Sequence, residues 1–365
     1  QMTDTPWTHA FHKHIAKTSP EPIGLVVDRA EGPFVYTTDG KRYLDLLSGI
    51  GVANIGHAHP RVIAAVERQN RRHHHVMVYG EYIQEEQPLY AQDMAAITPK
   101  GLDRVYFTNS GAEAVEGALK TARKATGRAG FVAFEGAYHG DTFGALSVAG
   151  NASYQIPFEP LLSPVKLLPF NEPEYLEKID EGIAAVIVEP VQGEGGVRIP
   201  TTGFMTDLAK RCQQTGALLI LDEVMTGFGR TGKLFALEHW GITPDLLVLA
   251  KALGGGYPLG AFIGSAGLLE TLTTDPPLSH VTTFGGHPVS CAAGRAGLSV
   301  IQEEKLVTNS RDTGAWFLDR LQKSLGVDPR ISEIRGLGMF IGIQFVDAQT
   351  TRAFTDRCRE EGLLL

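Results

Sequence analysis

The 365-residue sequence has few cysteines, only Cys212, Cys291 and Cys358, and none of them forms a CxxC pair. An odd, scattered set excludes a disulfide framework and a paired-cysteine zinc site, and leaves the thiols as reduced packing residues. Long hydrophobic runs are missing too: no eighteen consecutive apolar residues occur, so no stretch reads as a membrane-spanning helix. The opening QMTDTPWTHA lacks the basic region and apolar core of a signal peptide, which makes a cytoplasmic location the expectation. Positive charge is short, with 33 Lys and Arg against 41 Asp and Glu for a net charge of -8. No basic surplus remains to release counterions, which excludes general attraction to nucleic acid or anionic membranes and points to small molecules and copies of the chain as partners. Internal repeats and low-complexity stretches are absent as well.

What is present is the composition of a globular protein, 43% hydrophobic and 20% charged, at a length suited to two domains. Apolar runs of strand length at 104–108, 130–134, 184–189, 217–224, 246–251 and 261–265 alternate with helical stretches such as 113–126 and 204–215. This is the pattern of βα units around a largely parallel sheet, so the fold class is α/β, with a large domain over 55–290. Two helical stretches, 288–304 and 312–325, then lead to a Gly-rich apolar strand at 335–345 and a further helix. They predict a smaller α+β domain over 291–365, which the N-terminal segment 1–54 joins through residues 34–47.

Four segments carry chemistry. In RVYFTNSGAEAVEGALKTARKATG a β-rich run ends at Asn109-Ser110-Gly111-Ala112 and a helix starts; Ser110 and Glu113 fit a capping box, and the free amides there suit a phosphate or serve as a plain helix start. In LLILDEVMTGFGRTGK an apolar strand ends at Asp222-Glu223, placing a carboxylate where open α/β sheets bind ligands; an Asp there can bond a protonated pyridine nitrogen. The GxxxxGK match at 227–233 is not a nucleotide loop, because Leu234 replaces the required Ser or Thr and the loop follows the acidic strand instead of preceding it. In DLLVLAKALGGGYPLGAFIGS, Lys251 leaves a buried strand into a glycine-rich turn; poor hydration favours its neutral, nucleophilic amine. In FVAFEGAYHGDTFGALS, Tyr138 can stack on a flat heteroaromatic ring or pack in the core.

Taken in this order, the segments resemble the class III, fold-type I aminotransferases dependent on pyridoxal 5'-phosphate (PLP), the family of ornithine, acetylornithine, 4-aminobutyrate and diaminopelargonate aminotransferases. The shared motifs are NIGHAHP (54–60), TNSGAEA (108–114), GAYHG (136–140), VEPVQGEGG (188–196), LDEVMTGFGRTG (221–232), LAKALGGGYPLGA (249–261), TTFGGHP (282–288) and RGLGMFIG (335–342). The resemblance implies a mainly parallel seven-stranded sheet and a transaminase moving an ω-amino group to a 2-oxo acid such as 2-oxoglutarate or pyruvate. A PLP-dependent decarboxylase or racemase is the alternative on the same scaffold. It further implies that Ser110, Gly111 and Ala112 bind the cofactor phosphate, and that Tyr138 stacks on the ring with His139 beside it. Asp222 would pair with the ring nitrogen, Val224 would cover the other face, and Lys251 would hold PLP as a Schiff base. Glu189 and Glu194 fall on the acidic positions of the EPxQGE motif, Glu194 gating the substrate. By the same resemblance Ile50 would line the substrate pocket, and Thr283 would reach the phosphate in the neighbouring subunit of a homodimer.

Three departures bear on the substrate. Asp141 stands where ornithine-type members carry a carboxylate-binding arginine, and Met225 replaces a glutamine that bonds the cofactor's ring oxygen. The run Leu363-Leu364-Leu365 reads as a strand cut short, ahead of the segment in which relatives place a further carboxylate-binding arginine, so the small domain is expected to be incomplete. His73-His74-His75 read as no metal site, because consecutive side chains point in different directions. His75 and Tyr79 are instead expected along the substrate channel near the dimer interface.

Overall fold

Short, deeply buried apolar runs organise the chain around one large sheet. The computed structural model describes residues 5–365. In chain order the strands are β1 (Val27–Glu31), β2 (Phe34–Thr37), β3 (Arg42–Asp45), β4 (Arg104–Thr108), β5 (Gly130–Phe134), β6 (Val165–Leu168) and β7 (Ile183–Val188). They continue with β8 (Leu218–Asp222), β9 (Leu246–Leu249), β10 (Gly260–Gly264), β11 (Ile331–Leu337), β12 (Phe340–Phe345) and β13 (Leu363–Leu364). Strands β4 to β10 form a seven-stranded sheet in the order β4-β10-β9-β8-β7-β5-β6. Every pairing is parallel except those of β10, which runs antiparallel to both neighbours.

All of IAAVIV in β7 and LLVL in β9 is buried, as strands covered on both faces require. Leu219, Leu221, Leu247 and Leu249 enter one core cluster, while Ile220, Leu246, Val248 and Phe262 enter the other across the sheet. Truncating such a side chain, as in Leu247→Ala, would cost about 2–5 kcal/mol. The helix Gly111–Thr126 covers the second cluster. The Ser110 side chain caps its start, Glu113 lies in its first turn and Arg123 and Lys124 in its last, and Gly127 ends it with φ +66.

Two elements differ from the sequence reading. The stretch 335–345 is no single strand: β11 and β12 form an antiparallel hairpin, Leu337 opposite Phe340, because Gly338 turns the chain at φ +56. The other is β6, which the sequence reading passed over; it is a four-residue edge strand with the exposed Lys166 inside it, too short and too polar to stand out. Near the C-terminus, β13 pairs in parallel with β3, Leu363 opposite Leu44. The three cysteines are free, Cys212 and Cys291 buried and Cys358 half-buried. Among the described residues no helix is long and apolar enough to cross a membrane.

Candidate active site

Parallel strands deliver their C-terminal ends to one edge of the sheet, and there the chemistry gathers. Asp222 is the last residue of β8, and Lys251 follows β9 by two residues. Glu189 follows β7, the 136–140 loop follows β5, and Ser110 follows β4. They meet in a cavity of about 660 Å3, lined by Ser110, Gly111, Ala112, Tyr138, His139, Glu189, Glu194, Asp222, Val224 and Lys251 together with Val52, Asn109, Asp141, Met225 and the 256–259 turn. That volume suits a cofactor-sized ligand.

The floor is buried and hydrogen-bonded. Asp222 accepts from the Val224 amide at 3.0 Å on Oδ1 and from His139 Nδ1 at 2.7 Å on Oδ2. Burial alone would depress the His139 pKa; the hydrogen bond and charge of Asp222, with Glu189 behind it, outweigh burial and raise it. His139 Nε2 is buried with no protein partner. Glu189 accepts from the Tyr138 amide at 3.0 Å and from the Gly193 amide at 2.9 Å, so one carboxylate ties two loops together. Burial pushes its pKa up to about 7, against the two amides and His139.

Lys251 is half-buried and its backbone sits at φ +52, a left-handed conformation that is uncommon outside glycine and often stored at functional sites. Its Nζ lies 3.9 Å from the Met225 sulfur. Burial lowers the lysine's pKa, partly offset by Asp222 and Glu194, while the Arg230 guanidinium adds to the lowering. It is the single lysine among the lining residues, which include no arginine. The helix Gly111–Thr126 points its first amides into the same space, and those amides have no intrahelical acceptor. Gly111 packs closely here, since a Cβ would lie 3.2 Å from both Val224 methyl groups.

At the mouth the residues are more open. Tyr138 is 38% exposed, and its hydroxyl donates to Asp141 at 2.8 Å. Burial, then Asp141, push its pKa to about 12. Asp141 and Glu194 are exposed.

Four of the expected site residues do not line the cavity. Ile50 is 61% exposed, Thr283 and His75 are exposed, and Tyr79 is half-buried. His75 stacks on His287 with ring centroids 5.8 Å apart and meets Phe284 edge-on at 4.7 Å. The sequence reading missed Arg230. This half-buried arginine donates to the Met225 carbonyl at 2.8 Å, to the Gly51 carbonyl at 2.7 Å and to Asn54 Oδ1, and desolvation lowers its pKa to about 10. It lies inside the GxxxxGK look-alike, which forms a series of turns ahead of a short 3-10 helix, Ala236–His239. The signal was the basic residue within that glycine-rich loop.

Residues 15–365 match the family described as Aminotransferase class-III. The chain belongs to the class-III aminotransferases. The acetylornithine aminotransferase of Archaeoglobus fulgidus is 43% identical over 360 residues, 98% of this chain and 92% of that protein. The [LysW]-aminoadipate semialdehyde/glutamate semialdehyde transaminase of Sulfurisphaera tokodaii is 43% identical over 325 residues, 88% of this chain and 82% of that protein. Among solved structures, the ornithine aminotransferase of Toxoplasma gondii, described with partial occupancy of PLP at its active site, superposes with a TM-score of 0.92. It shares 32% identity and covers 98% of this chain and 85% of that chain. This class-III aminotransferase is thus a PLP-dependent transaminase of fold-type I, taking a small-molecule amino donor and a 2-oxo acid.

The residues present fit that cofactor. A buried carboxylate, an amine whose pKa burial lowers, amides at a helix start, an aromatic ring and an orphaned histidine nitrogen surround one cavity. Together they supply complementary groups for a pyridine nitrogen, an aldehyde carbon, a phosphate and a flat ring.

Proposed function

We propose that this class-III aminotransferase moves the ω-amino group of an ornithine- or acetylornithine-like ω-amino acid to a 2-oxo acid such as 2-oxoglutarate or pyruvate. The carrying observation is that Asp222 and Lys251 leave the adjacent parallel strands β8 and β9 into one cavity in which no other lysine competes. The substrate class is supported by the names of the relatives. Bound PLP supplies the electron sink that transamination needs.

In this reading Lys251 Nζ holds the cofactor covalently. When not engaged with the cofactor, the Lys251 amine would be the base placed to move the proton of the donor carbon. Asp222, itself held by His139 and the Val224 amide, keeps a proton on the ring nitrogen. Tyr138 and Val224 would hold the cofactor ring, and the Ser110, Gly111 and Ala112 groups at the helix start would hold its phosphate. Glu189 ties the Tyr138 loop to the loop that carries Glu194, and Glu194 gates the substrate. Ile50, His75 and Tyr79 belong to the substrate side, and Thr283, outside its own cavity, serves the partner subunit's phosphate in a homodimer. The large domain spans 55–290, and 1–54 joins 291–365. The location in this reading is the cytoplasm.

The test uses PLP-loaded protein in the two half-reactions. Ornithine, acetylornithine or 4-aminobutyrate bleaches its visible absorbance, and 2-oxoglutarate or pyruvate restores it. Bleaching without oxo-acid recovery would overturn the transaminase reading, as would recovery with no ω-amino donor effective.

A further inference from the structure

Glu194 stands on a loop whose backbone its own residues do not favour. Gln192 and Arg198 exchange two backbone hydrogen bonds of 3.1 Å, and the Gly193 carbonyl accepts from the Gly196 and Val197 amides at 2.9 and 3.2 Å. Inside this closed loop Val197 has φ +52. A β-branched residue is an outlier in the left-handed region, which glycine enters freely.

The support comes from the C-terminal hairpin. Arg335 of β11 donates through Nε to the Gly196 and Val197 carbonyls at 3.0 and 3.1 Å, and through Nη2 to Gly196 at 2.5 Å. Its Nη1 is fixed in turn by Glu333 at 2.5 Å and Gln344 at 2.8 Å. The side chain is only 17% exposed. Gly342 of β12 completes the seat, since a Cβ there would lie 3.1 Å from the Val197 Cβ and 3.2 Å from the Gly196 carbonyl. On the opposite side Glu189 holds the Gly193 amide.

We infer that Arg335 is a positioning residue that fixes Glu194 at the cavity mouth, so that the C-terminal hairpin sets how the enzyme discriminates between amino donor and oxo acid. The inference rests on the transaminase reading above. A fixed carboxylate at the mouth repels an anionic 2-oxo acid and attracts a donor arriving as an ammonium ion. Arg335 gains this leverage because its rigid planar fork spreads donors over three nitrogens, holding two consecutive carbonyls while Glu333 and Gln344 fix its far side, a geometry that a lysine's single ammonium does not reproduce.

The experiment compares Arg335→Lys, Arg335→Ala and each combined with Val197→Gly, in PLP-loaded protein for kinetics and in cofactor-free protein for amide hydrogen exchange. Arg335→Ala and Arg335→Lys are expected to change the ratio of donor to oxo-acid kcat/KM by about tenfold, equivalent to about 1.4 kcal/mol, acting through KM with the visible absorbance retained. The Gly196, Val197 and Arg198 amides should exchange faster. Adding Val197→Gly should restore most of the ratio, because glycine holds the loop without help. An unchanged ratio would overturn the inference, as would an equal fall in both half-reactions alongside a lower melting temperature, or failure of Val197→Gly to restore the ratio. If wild-type protein interconverts no donor and acceptor, the transaminase reading fails, while amide exchange still reports on the Arg335 tie.

Discussion

The floor of the cavity and its mouth are built by different rules. On the floor, Asp222 ends β8, Glu189 directly follows β7 and His139 lies on the loop after β5; all three are buried and bond to one another or to backbone amides, so burial rather than chain position sets them apart. At the mouth, Tyr138, Asp141 and Glu194 are exposed and stand on connecting segments. A sheet repeats its geometry with ångström regularity, whereas connections tolerate substitution, so one fold can keep a cofactor and change substrates. Of the departures from family residues, Asp141 lies at the mouth, whereas Met225 stands beside Lys251 with its sulfur 3.9 Å from Nζ.

The sharpest way to break this division is at the floor. Lys251→Ala should lower turnover by about 10^4-fold and abolish the visible absorbance of the purified, PLP-loaded protein. Retained absorbance would mean that another residue holds the cofactor. Asp222→Asn should cost about 10^3-fold in both half-reactions alike, measured by single-turnover kinetics, because the ring nitrogen loses its anionic partner. A loss confined to one half-reaction would place Asp222 on the substrate side.

Glu189 offers a test by acidity. Its pKa rises on folding, from 4.5 to about 7. The native state therefore binds the extra proton between those values, and stability falls as pH rises through that window. Relative to Glu189→Gln, the wild type should lose about 3 kcal/mol across it, read from denaturant melts of cofactor-free protein at about pH 4.5 and about pH 8. The smallest effect is expected at the mouth. Asp141→Asn should alter KM for one substrate by about fivefold with kcat and absorbance unchanged, since an exposed carboxylate contributes about 1 kcal/mol. A large kcat effect would erase the distinction between floor and mouth.

Legibility follows the same line. β4 and β5 were delimited correctly from apolar runs alone, and β7 to β10 within two residues, because burial on both faces leaves an unbroken apolar signature. Asp222 and Lys251 were legible since each ends such a run. Pairings distant in sequence were not legible: nothing in RGLGMFIG says that its arginine reaches the Gly196 and Val197 carbonyls. Arg230 was hidden by a glycine pattern borrowed from another chemistry, and β6 by its edge position. The stretch 335–345 reads as one strand because a glycine within an apolar run looks the same to a periodicity count whether or not it turns the chain.

The antiparallel strand β10 sets a timetable as well as a shape. It sits between β4 and β9, with Gly260 opposite Thr108, and a Cβ at Gly260 would lie 2.1 Å from the Ser110 carbonyl. As the chain leaves the ribosome from its N-terminus, the helix start at Ser110 waits for the strand that anchors it until after Lys251 has been made. Until β10 has been made β4 has no neighbour in the sheet, so a nascent chain cannot yet bring the Ser110 helix start and Lys251 to one cavity.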